Sequence, residues 1–201
     1  MTSGSPRLQK QRPPLLLALL FSLFFPGLPA SADENIIFLV ASPQLDSTLF
    51  ERSVILVAPH DNGSAMGVIL NRPLPVDPAR LYFGDKIMGK VAALSFGGPV
   101  NPATVIFLFH SDKDQENAVF LFDNIYFSND RQVLAEQLKR PTKESRLEVY
   151  TGYAGWAPGQ LQAEIRQGGW TTVKATKKLL FKNDRASIWQ ELSKKTVQEW
   201  I

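Results

Sequence analysis

Short apolar runs alternate with turn-forming residues along this chain, and the length and period of each run separate strand from helix. NIIFLVAS (35–42) is a compact stretch rich in Ile and Val that stops at Pro43, the pattern of a buried strand. VILVAPH (54–60) and AMGVILN (65–71) flank Asp61-Asn62-Gly63-Ser64, and Asn-Gly between apolar runs predicts a hairpin because both residues tolerate positive φ. Pro73, Pro75 and Pro78 then discourage regular structure through RPLPVDPARLYFGDKIMGK to about Ala92, which marks a mobile or partner-facing loop. ALSFGGPV and TVIFLFHS read as strands from their β-branched and aromatic content, and AVFLFDNIYFS (118–128) as a second hairpin turning at Asp123-Asn124.

Helical periodicity enters late. In DRQVLAEQLKR, Val133, Leu134 and Leu138 form a stripe behind the cap-competent Asn129 and Asp130. A strand, RLEVYTG, follows, and a last helix from about Asp184 to Lys195 places Ile188, Trp189 and Leu192 on one side. Between them lies GYAGWAPGQLQAEIRQGGW (152–170). Gly152, Gly155 and Gly159 predict sharp turns around Tyr153 and Trp156. Pro158 predicts the first turn of a short helix with Leu161 and Ile165 on its buried face, and Gly168-Gly169 its end before Trp170 returns to the core. That reads as architecture, with Gln160 and Glu164 its polar pair. Strands in clusters with a few short helices give an α+β class with a mixed, mainly antiparallel sheet.

The first 32 residues stand apart. Arg7, Lys10 and Arg12 precede an apolar run, Leu15 to Leu28, and Ala30-Ser31-Ala32 supplies small residues at a cleavage position, so residues 1–32 read as a signal peptide and 33–201 as a single domain. Fourteen apolar residues broken by Pro26 fall short of the ~20 that span a bilayer. The expected location is therefore the periplasm or the exterior after cleavage, the alternative being an N-terminal membrane anchor. Taking the three leader cations from the total of 22 Lys+Arg leaves 19 against 19 Asp+Glu. The excess of positive charge thus belongs to the leader, and a nucleic-acid partner is not expected. The absence of cysteine removes disulfides, cysteine lipidation and thiol chemistry.

Candidate chemistry is sparse. GDKIMGKV (84–91) matches the glycines and lysine of a phosphate loop but lacks the Ser or Thr that would bind Mg²⁺, and it lies in the proline-broken segment; it reads as a loop. No G-x-S-x-G or H-E-x-x-H occurs. His60 and His110 each end an apolar run and are followed by Asp61 and Asp112, a pattern open to acid/base work, to an oxygen and nitrogen metal site, or to plain backbone hydrogen bonding. Arg52 and Arg72 stand at strand edges, where they either grip a carboxylate or phosphate or pair with a local acid such as Asp46 or Glu51. Arg52, His60, Asn71 and Arg72 are the ligand-binding candidates, since the hairpin and the turn before it could gather them. No cofactor or metal set is expected. The partner is an unidentified protein or small molecule.

The succession DSTLFERSVILVAPHDNGSAMGVILNRPL, FGGPV, GYAGWAPGQLQAEIRQGGW and LLF resembles the YqgE/AlgH family of bacterial proteins over about 35–192. The matching positions run from Asp46 to Pro73, through Gly97-Gly98-Pro99-Val100, to Gly152–Trp170. Gln162 replaces the acid usual after Gln-Leu, and the leader is a second departure. The resemblance implies a bifurcated sheet folded toward a partial barrel. It brings no established reaction or catalytic residue; some members are connected with regulation of exopolysaccharide (alginate) production. The expectation is an exported binding or regulatory interaction protein rather than an enzyme. The alternative is a hydrolase-like enzyme on a small or saccharide-like substrate, with His60 as acid/base, Asn71 or Arg72 polarising the substrate and Ser53 as nucleophile.

Overall fold

The computed structural model describes residues 36–140 and 146–198, so the leader predicted at 1–32 lies outside the described residues. Strands β1 (Ile37–Ala41), β2 (Val54–Pro59) and β3 (Ala65–Ile69) form an antiparallel meander. Beyond the proline-rich segment follow β4 (Ser95–Phe96), β5 (Val100–His110), β6 (Val119–Phe122), β7 (Ile125–Ser128), β8 (Glu148–Trp156) and β9 (Trp170–Lys174). Their order across the sheet is β6-β7-β5-β8-β3-β2-β1-β9, with β4 off this path against β8. The sheet is antiparallel except for the β4–β8 pair, and it curls into a half-barrel flanked by short helices.

Strand β8 is where the sheet divides. One edge pairs with β5; the other pairs with β3 through Ala154–Trp156 and with β4 through Tyr150 and Thr151. The segment Phe96-Gly97 wedges into that fork: Gly97 N–H donates to the Thr151 carbonyl, and the Gly97 carbonyl accepts from Ile69 N–H, both at 2.9 Å. Such an approach leaves no room for side chains. A Cβ on Gly98 would stand 2.2 Å from the Tyr153 carbonyl carbon, one on Gly97 would stand 2.3 Å from the Gly152 oxygen, and one on Gly152 would stand 2.3 Å from the Gly98 oxygen. The register of β5 against β8 also shifts here, between Val100 and Val105.

Both faces of the meander are covered, which explains runs that are continuously apolar rather than alternating. Phe38, Val40, Val54, Leu56, Val68 and Leu70 point into the concave core, along with Ile106, Leu108 and Tyr150. Helices α4 (Lys177–Leu180) and α5 (Ile188–Gln198) close part of this face with Leu180, Ile188 and Leu192. The opposite face sends Leu39, Ile55, Val57 and Ile69 against Leu161 of α3 (Gln160–Arg166) and the indoles of Trp156 and Trp170. A third cluster joins Phe107, Phe109 and Val149 to Val133 and Leu134 of α2 (Arg131–Gln137), capped by Asp130 as predicted.

Three local expectations change. The first hairpin does not use two residues of positive φ: among Asp61, Asn62 and Gly63 only Gly63 is left-handed, at 79°. His60 N–H donates to the Ser64 carbonyl and Gly63 N–H to the His60 carbonyl, closing a three-residue loop on which the Asn62 side chain caps Ser64. At Asp123-Asn124 both φ values are positive, as the second hairpin requires. The proline-rich segment is only partly a loop, because it carries α1 (Pro78–Leu81) and a 3₁₀ turn (Met88–Lys90) whose Met88 is fully buried under the third cluster. Finally, Gly152 to Trp156 continue β8 instead of turning, and the helix opens on left-handed Gly159, not on Pro158.

The tryptophan motif is a clamp built on one carboxylate. Glu164 Oε2 accepts from Trp156 Nε1 at 3.0 Å and from Trp170 Nε1 at 2.9 Å, while Oε1 accepts from Gln160 Nε2. The two indoles meet edge to face at 6.3 Å, and Phe50 stacks edge-on against Trp170. At the far end of α3, Gly168 and Gly169 donate to the Ile165 and Glu164 carbonyls and stop the helix.

Three expectations follow for stability. Glu164→Ala strands two indole N–H groups and should cost ~2–4 kcal/mol in urea unfolding followed by tryptophan fluorescence, with Glu164→Gln intermediate. Gly98→Ala drives a methyl into backbone and should cost at least ~3 kcal/mol, or prevent folding. Gly159→Ala, where an added Cβ meets nothing within 4 Å, should cost only the left-handed strain of about 1 kcal/mol.

Candidate functional site

Strand β2 separates the four sequence candidates. Three of them gather before its first residue. Asn71 is buried: its Oδ1 accepts from Val54 N–H at 2.9 Å and its Nδ2 donates to the Arg52 carbonyl at 2.8 Å. A side chain thereby takes over where the β2–β3 ladder runs out of backbone. Arg72 Nη2 donates to the Glu51 carbonyl, and its own carbonyl accepts from Phe96 N–H, tying the turn at 50–53 to the fork. Arg52 has φ 51° and an exposed side chain, lies 3.8 Å from Glu51 Oε1 and sits over the Trp189 ring at 5.7 Å. An ion pair so exposed adds little. Ser53 is fully buried and its hydroxyl donates to the Phe50 carbonyl.

His60 stands at the other end of the strand. Seven residues at ~3.3 Å each put roughly 23 Å between it and Ser53, so the two form no nucleophile and base pair. Nor does His60 meet Arg52, Asn71 or Arg72. Instead it lies at the rim of a small, partly open apolar cleft on the concave face, with about 20 Å³ of free room. The alternation of β2 sends Leu56, Ala58 and His60 to the same side; Met66 and Val68 join them from β3, and Leu108, Leu121 and Phe127 close the cleft from across the curl. The lining is apolar apart from the imidazole. The cleft exists because the sheet curls and α4 and α5 cover only part of its inner face.

Beyond Leu108, on the same face, lies a polar cluster that the sequence reading did not single out. Leu108 is the register partner of Glu148, and Ile106 that of Tyr150, so both polar side chains point inward beside the cleft wall. Glu148 pairs with Arg185, whose Nη1 also reaches the Leu70 carbonyl at 3.5 Å. Burial pushes the Glu148 carboxyl above its ordinary range, against the opposing pull of Arg185. Burial likewise raises the Tyr150 phenol, whose oxygen has no hydrogen-bond partner among the described residues. The available signal was an acid two residues before an inward Tyr in an otherwise apolar strand.

His110 ends β5 with its Nε2 3.3 Å from Asp112 Oδ1 but out of hydrogen-bonding alignment. Burial, helped by Lys177 and Arg146, lowers its pKa, and Asp112 opposes that. Among the described residues no three His, Cys, Asp or Glu side chains converge as a metal-binding group, and no helix is long and apolar enough to cross a membrane. In the phosphate-loop look-alike, the Asp85 carboxylate already accepts from Ile87 and Met88 N–H, the place an anion would take.

Comparison with known proteins agrees with this geometry. The AlgH-like family model matches residues 38–200. A UPF0301 protein of Shewanella woodyi is 36% identical over 163 residues, 76% of this chain and 86% of that one. A UPF0301 protein of Paracoccus denitrificans is 34% identical over 164 residues, 76% and 84% of the two chains. The solution structure of the AlgH protein from Pseudomonas aeruginosa superimposes with a TM-score of 0.65 at 25% identity, covering 83% of this chain and 88% of that one. Protein DIP2367 from Corynebacterium diphtheriae shares the fold, with a TM-score of 0.64 at 24% identity over 85% and 90% of the chains. With the family pattern spanning the forked sheet, the hairpin and the tryptophan clamp alike, the chain belongs to the AlgH-like family.

Proposed function

We propose that this chain is a binding protein, not an enzyme, and that it takes a small, largely apolar ligand on the concave face with His60 at the mouth of the site. The carrying observation is the open cleft between the β2–β3 hairpin and β5–β7. An apolar concavity with a polar group at its rim is the form a small-molecule site takes; since about 20 Å³ is room for little more than a water, in this reading the hairpin tip moves aside as the ligand enters. Seven apolar side chains supply burial, and the imidazole supplies a single oriented hydrogen bond. In this reading Asn71 and Arg72 act indirectly, with Arg52 lending its backbone carbonyl: they tie down the end of the hairpin away from its turn, so that the turn end keeps its place against the cleft. The proposal includes export, motivated by the leader, and a regulatory rather than metabolic use of the ligand. The exopolysaccharide connection rests on family resemblance.

Anilinonaphthalene sulfonate, an apolar fluorophore with an anionic head, should bind saturably at one site. Ala58→Trp, which fills the cleft from its β2 wall, should weaken that binding roughly tenfold or more while leaving thermal unfolding within a few degrees of the parent. A folded Ala58→Trp protein that binds the probe unchanged overturns the assignment. For export, protein recovered from the cell envelope should begin at Asp33 on N-terminal sequencing. Recovery only from the cytosol with the leader intact rejects it.

A further inference from the structure

The sharpest anomaly on the surface is Phe83, which is 96% exposed. Single exposed apolar residues are ordinary, but this one has company and support. Leu81 and Val76 beside it are also exposed, at 53% and 43%. The turn that carries Phe83 is fixed on both sides. Asp85 N–H donates to the Tyr82 carbonyl at 2.9 Å, and Gly84 takes the third position with φ 81°, as a type II turn requires. Before the turn, the Tyr82 hydroxyl bonds to Thr151 Oγ1 at 3.0 Å, and Thr151 lies on β8. After it, Asp85 pairs with Arg131 at the start of α2 and caps the 3₁₀ turn that buries Met88. The aromatic ring is therefore held out by a braced turn; it does not hang from a loose one.

Its surroundings select the partner. Arg80, with a side chain 91% exposed, and the exposed Lys86 and Lys90 flank the apolar tip in sequence. The two acids of the segment are engaged, Asp77 with Arg80 and with the N-terminus of α1, and Asp85 with Arg131. Within 73–92 the three cations Arg80, Lys86 and Lys90 outnumber the two acids by one, and Arg131, which pairs with Asp85, stands next to Asp130 on α2. The turn is a convex apolar tip with cations before and after it in sequence. It matches a lipid interface, where rings and aliphatic chains enter the acyl boundary while cations stay at the headgroups. We infer that the Phe83 turn is a docking element for an anionic bilayer surface, with Phe83 and Leu81 as the inserting side chains and Lys86 and Lys90 as the headgroup contacts.

Because the chain has no cysteine, Ala79→Cys on exposed α1 gives a single labelling site that leaves Phe83 in place. The full chain carrying a nitrobenzoxadiazole label there should brighten and shift to the blue on vesicles of mixed phosphatidylglycerol and phosphatidylethanolamine, and not on phosphatidylcholine. Adding Phe83→Ala should abolish the response. Lys86→Gln with Lys90→Gln should weaken it roughly 30-fold. A label at Asn62, on the first hairpin, should stay silent. Vesicles that pellet with the chain while the Ala79 label remains unchanged overturn the inference, since binding then runs through another part of the molecule. A response equal on neutral and anionic vesicles also overturns it. So does a shift that needs no vesicles and grows with protein concentration, which would identify the occupant as a second copy of the chain.

Discussion

Everything in this fold rests on one backbone crossing, where Gly97-Gly98 passes against Gly152 of β8. The contact is too close for any Cβ on either side. It lets Phe96-Gly97 enter between β3 and β8 and hydrogen-bond to both. Strand β8 therefore serves two neighbours on one edge, and the sheet must bend to accommodate them. From that bend follow the curl, the concave face and the partial cover that α4 and α5 give it. A side chain at the crossing would push the wedge out of the fork and leave the polar groups of Ile69, Gly97 and Thr151 without partners.

The hairpin of β2 and β3 shows how the same two strands can be rigid at one end and open at the other. Toward the fork, its last polar groups are satisfied by Asn71 and Arg72, which bond to backbone 17 to 21 residues away. These residue types resemble a ligand-binding set in sequence because the chemistry that grips a carboxylate also grips a carbonyl. Toward the loop, the three-residue turn closes on backbone hydrogen bonds and on the local Asn62 side chain. The cleft opens at this second end. Rigidity and access are thus placed about one strand length apart, and mutations at Asn71 and at Ala58 test different things.

Much of the architecture could be read from the sequence because continuous apolar runs and capping residues act locally. The strands ending at Pro43 and flanking Asn62-Gly63, the Asp123-Asn124 turn, and α2 behind Asp130 all formed where expected. The errors came where distant segments decide. Gly152 and Gly155 suggested turns, yet both are strand residues; at Gly152 a positive φ and the close approach of Gly98 demand glycine, and that approach is invisible from the local sequence. Proline in 73–78 suggested a loose loop, but Met88 and Leu94 find buried places that hold the segment down. Grouping His60 with Arg52, Asn71 and Arg72 assumed that nearness to a hairpin means nearness in space. A strand keeps its two ends apart.

The polar residues of this chain fall into two kinds, and the division bears on where function sits. Glu164, Asn71 and Asp85 are each committed to backbone or indole partners by two specific contacts, Ser53 by complete burial, and Arg72 by its bond to the Glu51 carbonyl. Altering them removes support before it removes any activity, so loss of function at those positions says little about a site. Ala58 at the cleft wall and Phe83 on its braced turn are different, because the surrounding backbone is satisfied without them. Phe83 in particular leaves its apolar surface in water while the turn that holds it there is anchored to β8 and to the α2 N-terminus. An exposed ring on an anchored turn is the arrangement that the proposed bilayer contact uses.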